Sequence, residues 1–180
     1  DVPSAIHPPT PGPTARGPWS EAEPPIDMAG RSSAGTGPAL TTFVARNGTR
    51  LEVHRLTRCY VVALQRFNAG LTAETRAVFL PHAYDDATLA RHVERDRAGK
   101  DRAFVLTFDR EVAGYFFLWE FDHDVPLLGL GLADAWQGQG LGESMLRFLI
   151  AEARLNGRDG IELTTVLTNA RALQLYRRVG

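Results

Sequence analysis

Between Leu127 and Gly142 the chain reads LLGLGLADAWQGQGLG, and the residue types there suit the holding of an anion. Leu127, Leu128, Leu130 and Leu132 alternate with or crowd against Gly129 and Gly131. This is the pattern of a short strand with little side-chain bulk on part of one face, so that something can come close to its backbone. After Asp134 the chain turns through Trp136 and Gln137 into Gly138, Gln139, Gly140, Leu141 and Gly142, and apolar Leu141, Met145, Phe148 and Leu149 then recur at helical spacing. The three glycines therefore stand at a helix N-terminus. The first amides of a helix have no partner within it, and glycine lets an anionic group reach them without meeting a Cβ, while the helix dipole adds attraction. A pyrophosphate is the natural guest. A P-loop would need a Gly-Lys-Ser/Thr ending, and the only lysine is Lys100. A dinucleotide site would need G-x-G-x-x-G with an acidic partner on a second strand, whereas positions 138, 140 and 142 give G-x-G-x-G.

Gln137-Gly138-Gln139-Gly140-Leu141-Gly142 resembles the Q/R-x-x-G-x-G/A signature of the GNAT superfamily of acetyl-CoA-dependent N-acetyltransferases, and it follows a strand as it does in that family. Further on, Asn169, Ala170, Ala172, Leu173, Tyr176 and Gly180 fall in N-x-x-A-x-x-L-Y-x-x-x-G, which resembles the family's later helix. The two signatures stand in the family's order, with a helix and a strand between them. The resemblance runs over roughly residues 41 to 180, weakly before residue 103 and well after it.

The resemblance implies an α/β (mixed α+β) fold: a central mixed, mostly antiparallel sheet flanked by helices, with a β-α-β core that binds coenzyme. It implies acetyl-CoA as co-substrate, no metal, and direct attack by an amine acceptor in a ternary complex without an acyl-enzyme. The amides around Gln137 to Gly142 would grip the pyrophosphate, and the strand backbone near Leu130 and Leu132 would pair with the pantetheine arm. Tyr176 matches the tyrosine that protonates the departing thiolate, a role a phenol can fill because its hydroxyl donates to developing charge; the alternative is a packed ring that shapes the pocket. Asn169 matches the residue that hydrogen-bonds the pantetheine arm, and an asparagine before a helix is also an ordinary N-cap. Glu120 lies near the place where many members carry the carboxylate that takes the amine proton through water. Asp122, His123 and Asp124 stand beside it, histidine being a residue type suited to base chemistry near neutral pH, and the group either rims the acceptor cleft or forms a solvated turn. The competing reading is a domain of the same fold that binds acyl-CoA or regulates without transferring the acyl group.

Other residues carry weaker signals. His82, Asp85, Asp86 and His92 could suggest a metal site, but His92 would have to fold back toward the rest, so chance clustering of polar residues is the better reading. Cys59 at a helix start has no histidine near it in sequence and reads as a small buried residue. Of Phe116, Phe117, Trp119 and Phe121, alternating members read as core, with the others available to line the acceptor cleft.

The elements that must position these residues can be read from pattern. Thr41 to Val44 and Leu51 to Arg55 read as strands around an Asn47-Gly48 turn, and Phe104 to Phe108 and Val112 to Trp119 as a hairpin around Asp109-Arg110. Tyr60 to Phe67 and Asp85 to Arg97 read as helices, with Gly70 to Pro81 a mixed segment between them. After the glycine-rich strand come a long helix to about Asn156, a strand at Ile161 to Thr165 and a helix from about Ala170, so a β-α-β unit sits inside a mixed sheet. The chain stops at Gly180, where the family continues with an aromatic residue and a strand, so the domain at 41–180 is expected to lack its last strand and part of its acceptor side.

Composition bounds the rest. With 180 residues and 44% apolar content the chain fits one domain with a real core. Nine of the eleven prolines fall in residues 1–40, which read as an extended arm that is either flexible or docked through Trp19, Ile26 and Met28 on the body or on a second subunit, as in a homodimer. No run approaches a membrane span and no signal peptide is evident, so with one cysteine a cytoplasmic protein is the expectation. The net charge is −1, and Arg46, Arg50, Arg55 and Arg58 have no interleaved aromatic stripe, which argues against nucleic acid; a solvated surface, or a coenzyme phosphate contact, explains them.

Overall fold

Near-continuous apolar runs along the central strands give the sheet two buried faces, and the helices cover both. The structure is a computed structural model that describes residues 37–166 and 169–179; the first 36 positions of the expected arm, and its docking on a second subunit, lie outside the described residues. Strands β1 (Thr41–Val44), β2 (Arg50–Arg55), β3 (Arg102–Phe108), β4 (Glu111–Trp119), β5 (Leu127–Leu132) and β6 (Glu162–Leu163) form one sheet in the order β1-β2-β3-β4-β5-β6. Every neighbouring pair is antiparallel except β5 and β6, which are parallel. Helices α1 (Val61–Gly70), α2 (Ala73–Val78) and α3 (Asp86–Arg97) lie between β2 and β3 in sequence, α4 (Leu141–Leu155) crosses from β5 to β6, and α5 (Ala170–Val179) follows β6.

β4 shows why the segment VAGYFFLW reads as one apolar run. Successive side chains point to opposite faces, so Phe116 and Leu118 enter the core under α4, with Met145 and Leu149, while Tyr115 and Phe117 enter the core under α1 and α3, with Leu64, Leu89 and Val93. Phe121 joins the first of these cores, and Trp119 packs against the second. All four aromatics of the sequence cluster are thus structural, and none lines the cleft described below.

Local chemistry explains the turns and helix starts. Asp109 and Arg110 both take positive φ (50° and 68°), the left-handed pair that a tight two-residue hairpin requires. Asp85 caps α3 by accepting from the Thr88 N–H at 2.9 Å, and Thr72 caps α2 by accepting from Thr75. The α2 cap is why the segment expected to be mixed contains a helix. The strand expected over Ile161 to Thr165 keeps only Glu162 and Leu163, because β6 pairs with β5 at Leu127 and Leu128 and then diverges from it.

Two buried carboxylates anchor α3 to the sheet. Asp96 accepts from Arg55 Nε at 2.8 Å and from the Ala103 N–H, and Asp101 takes two bonds from Arg95 and one from the Glu120 N–H. Near them the rings of His82 and His92 do meet, 4.3 Å apart, packed among Tyr84, Tyr115 and Trp119, with no carboxylate bonded to either ring among the described residues. Burial pushes the His92 imidazole down to about 4 with help from His82, so the pair is neutral packing. Asp85 and Asp86 are spent on Thr88 and Gln65, and no metal-ligand group of three occurs among the described residues. Cys59 is exposed, against the expectation of burial, and its sulfur contacts the Thr57 hydroxyl.

Candidate active site

The glycine loop is built by two left-handed residues. Gly138 and Gly140 have φ of 74° and 83°, a region that L side chains enter only with strain, and Gly140 is the N-cap of α4. The chain so turned leaves the amides of Leu141 and Gly142 at the open end of a 15-residue helix, with no carbonyl one turn back to accept from them. Arg46, in the turn after β1, fastens the loop: its N–H donates to the Gln139 carbonyl at 3.0 Å and its Nη1 to the Gly138 carbonyl at 3.2 Å.

The strand before the loop supplies a second hydrogen-bonding surface. The Ala133 N–H donates to Ala113 on β4. Main-chain groups alternate sides along a strand, so those of Gly129 and Gly131 also face β4 while those of Leu130 and Leu132 face the other way. On that side β6 pairs only with Leu127 and Leu128 and then departs. The N–H and C=O of Leu130 and the N–H of Leu132 therefore face a gap in the sheet, the Leu132 carbonyl being taken by Gln137 Nε2, and the gap is a cleft of about 820 Å³ lined by Leu128 to Leu132, Gly138, Gly140, Gly142, Thr164, Thr165, Asn169 and Tyr176.

The glycines of β5 serve a purpose other than close approach by a ligand. A Cβ on Gly129 would meet the Phe117 ring at 2.2 Å, and one on Gly131 would meet the Phe79 ring at 2.3 Å. Their bare face receives aromatic rings from the protein, and the edge of β5 left unpaired by β6 opens on the cleft.

The remaining walls come from α2 and α5. Gln137 joins them: its Nε2 donates to Thr75 Oγ1 and to the Leu132 carbonyl, and its Oε1 accepts from Arg171. Asp134 accepts from the Thr72 N–H and from the Thr72 and Thr75 hydroxyls, bonds that hold its carboxyl below the usual carboxylate range. Pattern reading passed over this side of the site. Thr72, Glu74, Thr75, Phe79, Arg171 and Arg178 all line the cleft, and a usable signal was the Thr72-x-x-Thr75 cap followed by a helical turn.

Of the residues expected at the coenzyme site, Leu130, Leu132, Gln137, Gly138, Gly140, Gly142 and Asn169 come together at the cleft. Gln139 contributes its carbonyl to Arg46, and the Leu141 side chain is wholly buried in the core, so neither side chain reaches the cleft. Asn169 accepts from the Ala172 N–H at 3.2 Å, the N-cap of α5, and also lines the cleft. Tyr176 projects from α5 into the cleft, half-buried, and burial raises its phenol above the ordinary value.

The acidic cluster lies elsewhere. Glu120, Asp122, His123 and Asp124 are all exposed and do not line the cleft among the described residues. The reason is the path of the chain after β4. Glu120 takes a left-handed φ of 53°, its N–H is held by Asp101, and its carbonyl accepts from His123, which closes a tight solvated turn. The basic residues of the β1–β2 region separate too. Arg55 binds Asp96, Arg58 binds Glu94 and Arg50 does not line the cleft, so that of the four Arg46 alone lines it.

Among the described residues no helix is long and apolar enough to cross a membrane. A comparison with curated proteins finds no match. Solved structures of the same fold include the GNAT domain of S. lividans PAT (17% identity, TM-score 0.70, 78% of this chain and 86% of that one). They also include the ribosomal-protein-S18-alanine N-acetyltransferase from Escherichia coli (22%, 0.58, 72% and 76%). A third is the spermidine N-acetyltransferase from Vibrio cholerae in complex with CoA and spermine (18%, 0.58, 72% and 79%). The sequence profile of the acetyltransferase (GNAT) family matches residues 65–180. A strand edge left open beside a glycine-capped helix is thus joined to a family match over more than half the sequence, and the chain belongs to the GNAT acetyltransferase family.

Proposed function

We propose that the protein transfers an acetyl group from acetyl-CoA to a primary amine of a small molecule or peptide, by direct attack in a ternary complex. The observation that carries this is the opening of three features onto one cleft: the free β5 edge at Leu130 and Leu132, the α4 N-terminus at Gly140 to Gly142, and the Tyr176 phenol. The helix end takes the pyrophosphate, and the strand edge pairs with the amides of the pantetheine arm as an added strand would. This threads the thioester toward Tyr176. The amine nitrogen attacks the thioester carbonyl, a C–N bond forms, the C–S bond breaks, and Tyr176 gives a proton to the departing thiolate.

The amine must lose a proton. Three carboxylates line the cleft. Asp134 is engaged by Thr72 and Thr75, and Glu143 by Arg147 and Arg178. Glu74 has no hydrogen-bond or ion-pair partner among the described residues, so in this reading it replaces Glu120 as the group that attracts the ammonium and accepts its proton. Two of the structural neighbours are named as N-acetyltransferases, one of an alanine of ribosomal protein S18 and one of spermidine.

Free thiol released from acetyl-CoA, measured across polyamines, peptides with free N-termini and neutral amino sugars, tests the reading. Release should depend on an amine, fall roughly 10-fold or more in Glu74→Gln, and stay within about two-fold in Glu120→Gln. Coenzyme binding with no amine-dependent thiol from any acceptor class would support a non-catalytic acyl-CoA-binding domain. A large loss in Glu120→Gln with none in Glu74→Gln would return the base to the β4 turn.

A further inference from the structure

Positive charge gathers around the glycine loop beyond what one helix end supplies. Arg46 reaches in from the β1–β2 turn, bonded to the Gly138 and Gln139 carbonyls, with its Nε 3.7 Å from where a Gly140 Cβ would stand. Arg171 reaches in from α5 and bonds the neutral Gln137 amide of the same loop. Both line the cleft, both are exposed, and neither has a carboxylate within ion-pair distance among the described residues. The third arginine of the rim, Arg178, is paired with Glu143.

Arg171 is placed where a cation is disfavoured. It is the second residue of α5, at the positive end of that helix dipole, and it faces the loop that opens the positive end of α4. Two helix N-termini and two uncompensated guanidiniums on one four-residue loop repel one another unless an anion sits among them. Guanidinium presents a planar fork of donors that matches a phosphate, and it keeps its charge at any working pH. A pyrophosphate seated on the α4 amides uses the helix end, and the arginines remain free for a further phosphate.

We propose that Arg46 and Arg171 bind the 3′-phosphate of the coenzyme's ribose and so make the protein discriminate acetyl-CoA from its 3′-dephospho form. This rests on the coenzyme reading above. Neither residue belongs to the glycine signature, and they come from opposite ends of the chain, brought together only because α5 and the β1–β2 turn both abut Gln137 to Gly140.

Calorimetric titration of the intact chain with acetyl-CoA and with 3′-dephospho-acetyl-CoA, in the wild type and in Arg46→Gln/Arg171→Gln, tests the proposal. The wild type should prefer acetyl-CoA about 30-fold, and the double variant should bind the two ligands within about two-fold of each other. The preference of the wild type should shrink as salt is raised. Because both arginines also hold the loop, the ratio of the two affinities is the readout, since loop damage weakens both ligands alike. If the variant loses affinity for both ligands and keeps the wild-type ratio, the arginines only support the loop and the proposal fails. Equal binding of both ligands by the wild type would overturn it while the coenzyme site stood. Binding of neither ligand by the folded wild type would remove the coenzyme reading and this proposal with it.

Discussion

Tyr176→Phe is expected to lower kcat about 100-fold or more while leaving the KM for acetyl-CoA within about two-fold, because general acid catalysis by a positioned side chain contributes about 10² to 10⁴ in rate. The substitution keeps the ring that packs against the core under α4 and removes only the hydroxyl. A loss confined to kcat marks an interaction made in the transition state and not in the bound substrate. The direction of the phenol's shift fits a donor. Burial raises it above 10, so the group stays protonated through the whole neutral range, and any loss of rate from its ionisation appears only above pH 10. A variant as fast as the wild type at saturating acetyl-CoA would reduce Tyr176 to a ring that shapes the pocket.

Gly129→Ala should destabilise the fold by about 3 kcal/mol, an overpacking cost at the upper end of the usual range. The added methyl carbon would stand 2.2, 2.5 and 2.9 Å from three atoms of the Phe117 ring. Phe117 cannot withdraw: it is 2% exposed, stacked on Trp119 with ring centroids 4.2 Å apart, and tilted against Tyr115. Gly131→Ala gives a control of similar geometry and different consequence. Its methyl would meet Phe79 at 2.3 Å, but that ring is half-buried at the end of α2 and can swing toward the cleft. Chemical denaturation of both variants should show Gly129→Ala as clearly the less stable. Equal midpoints would mean the core around β4 yields more easily than close packing allows. Gly131→Ala has a second readout, since a displaced Phe79 would occupy the cleft and weaken acetyl-CoA binding.

Much of the architecture was legible because it follows local rules. The Asn47-Gly48 turn, the Asp109-Arg110 hairpin, the helix over Asp85 to Arg97 and the apolar spacing of α4 each follow from a few neighbouring residues, and each stands where pattern placed it. The order of the β-α-β unit followed from the glycine loop lying between a strand and a helix. The errors share a different origin. The acidic segment after Trp119 could be read as the rim of a cleft or as a solvated turn, and what decides for the turn is Asp101, nineteen residues away, through the bond to the Glu120 N–H. α2 became a wall of the site because Thr72 and Thr75 bind Asp134, about sixty residues further on. β6 is short because its partner edge is left open, and no residue within Ile161 to Thr165 announces that. Gly129 and Gly131 were read correctly as positions of close approach, but composition could not say whether a ligand or Phe117 and Phe79 would approach. Non-local contacts of this kind lie outside any window of periodicity or propensity.

The proposed acetyl transfer depends on coenzyme seated between the β5 edge and the α4 N-terminus, so the most direct test is calorimetric titration of acetyl-CoA into the intact protein and into Gly140→Asp. Aspartate suits the control. It enters the left-handed region more readily than most residues and is a favoured N-cap, so the φ of 83° at the start of α4 can be kept while a carboxylate is put where phosphate would sit. An unchanged melting temperature checks that the fold survives. The account predicts micromolar binding by the wild type, about −8 kcal/mol, and a loss of at least about 100-fold in the variant. No detectable binding by the folded wild type, or equal binding by Gly140→Asp, would contradict it.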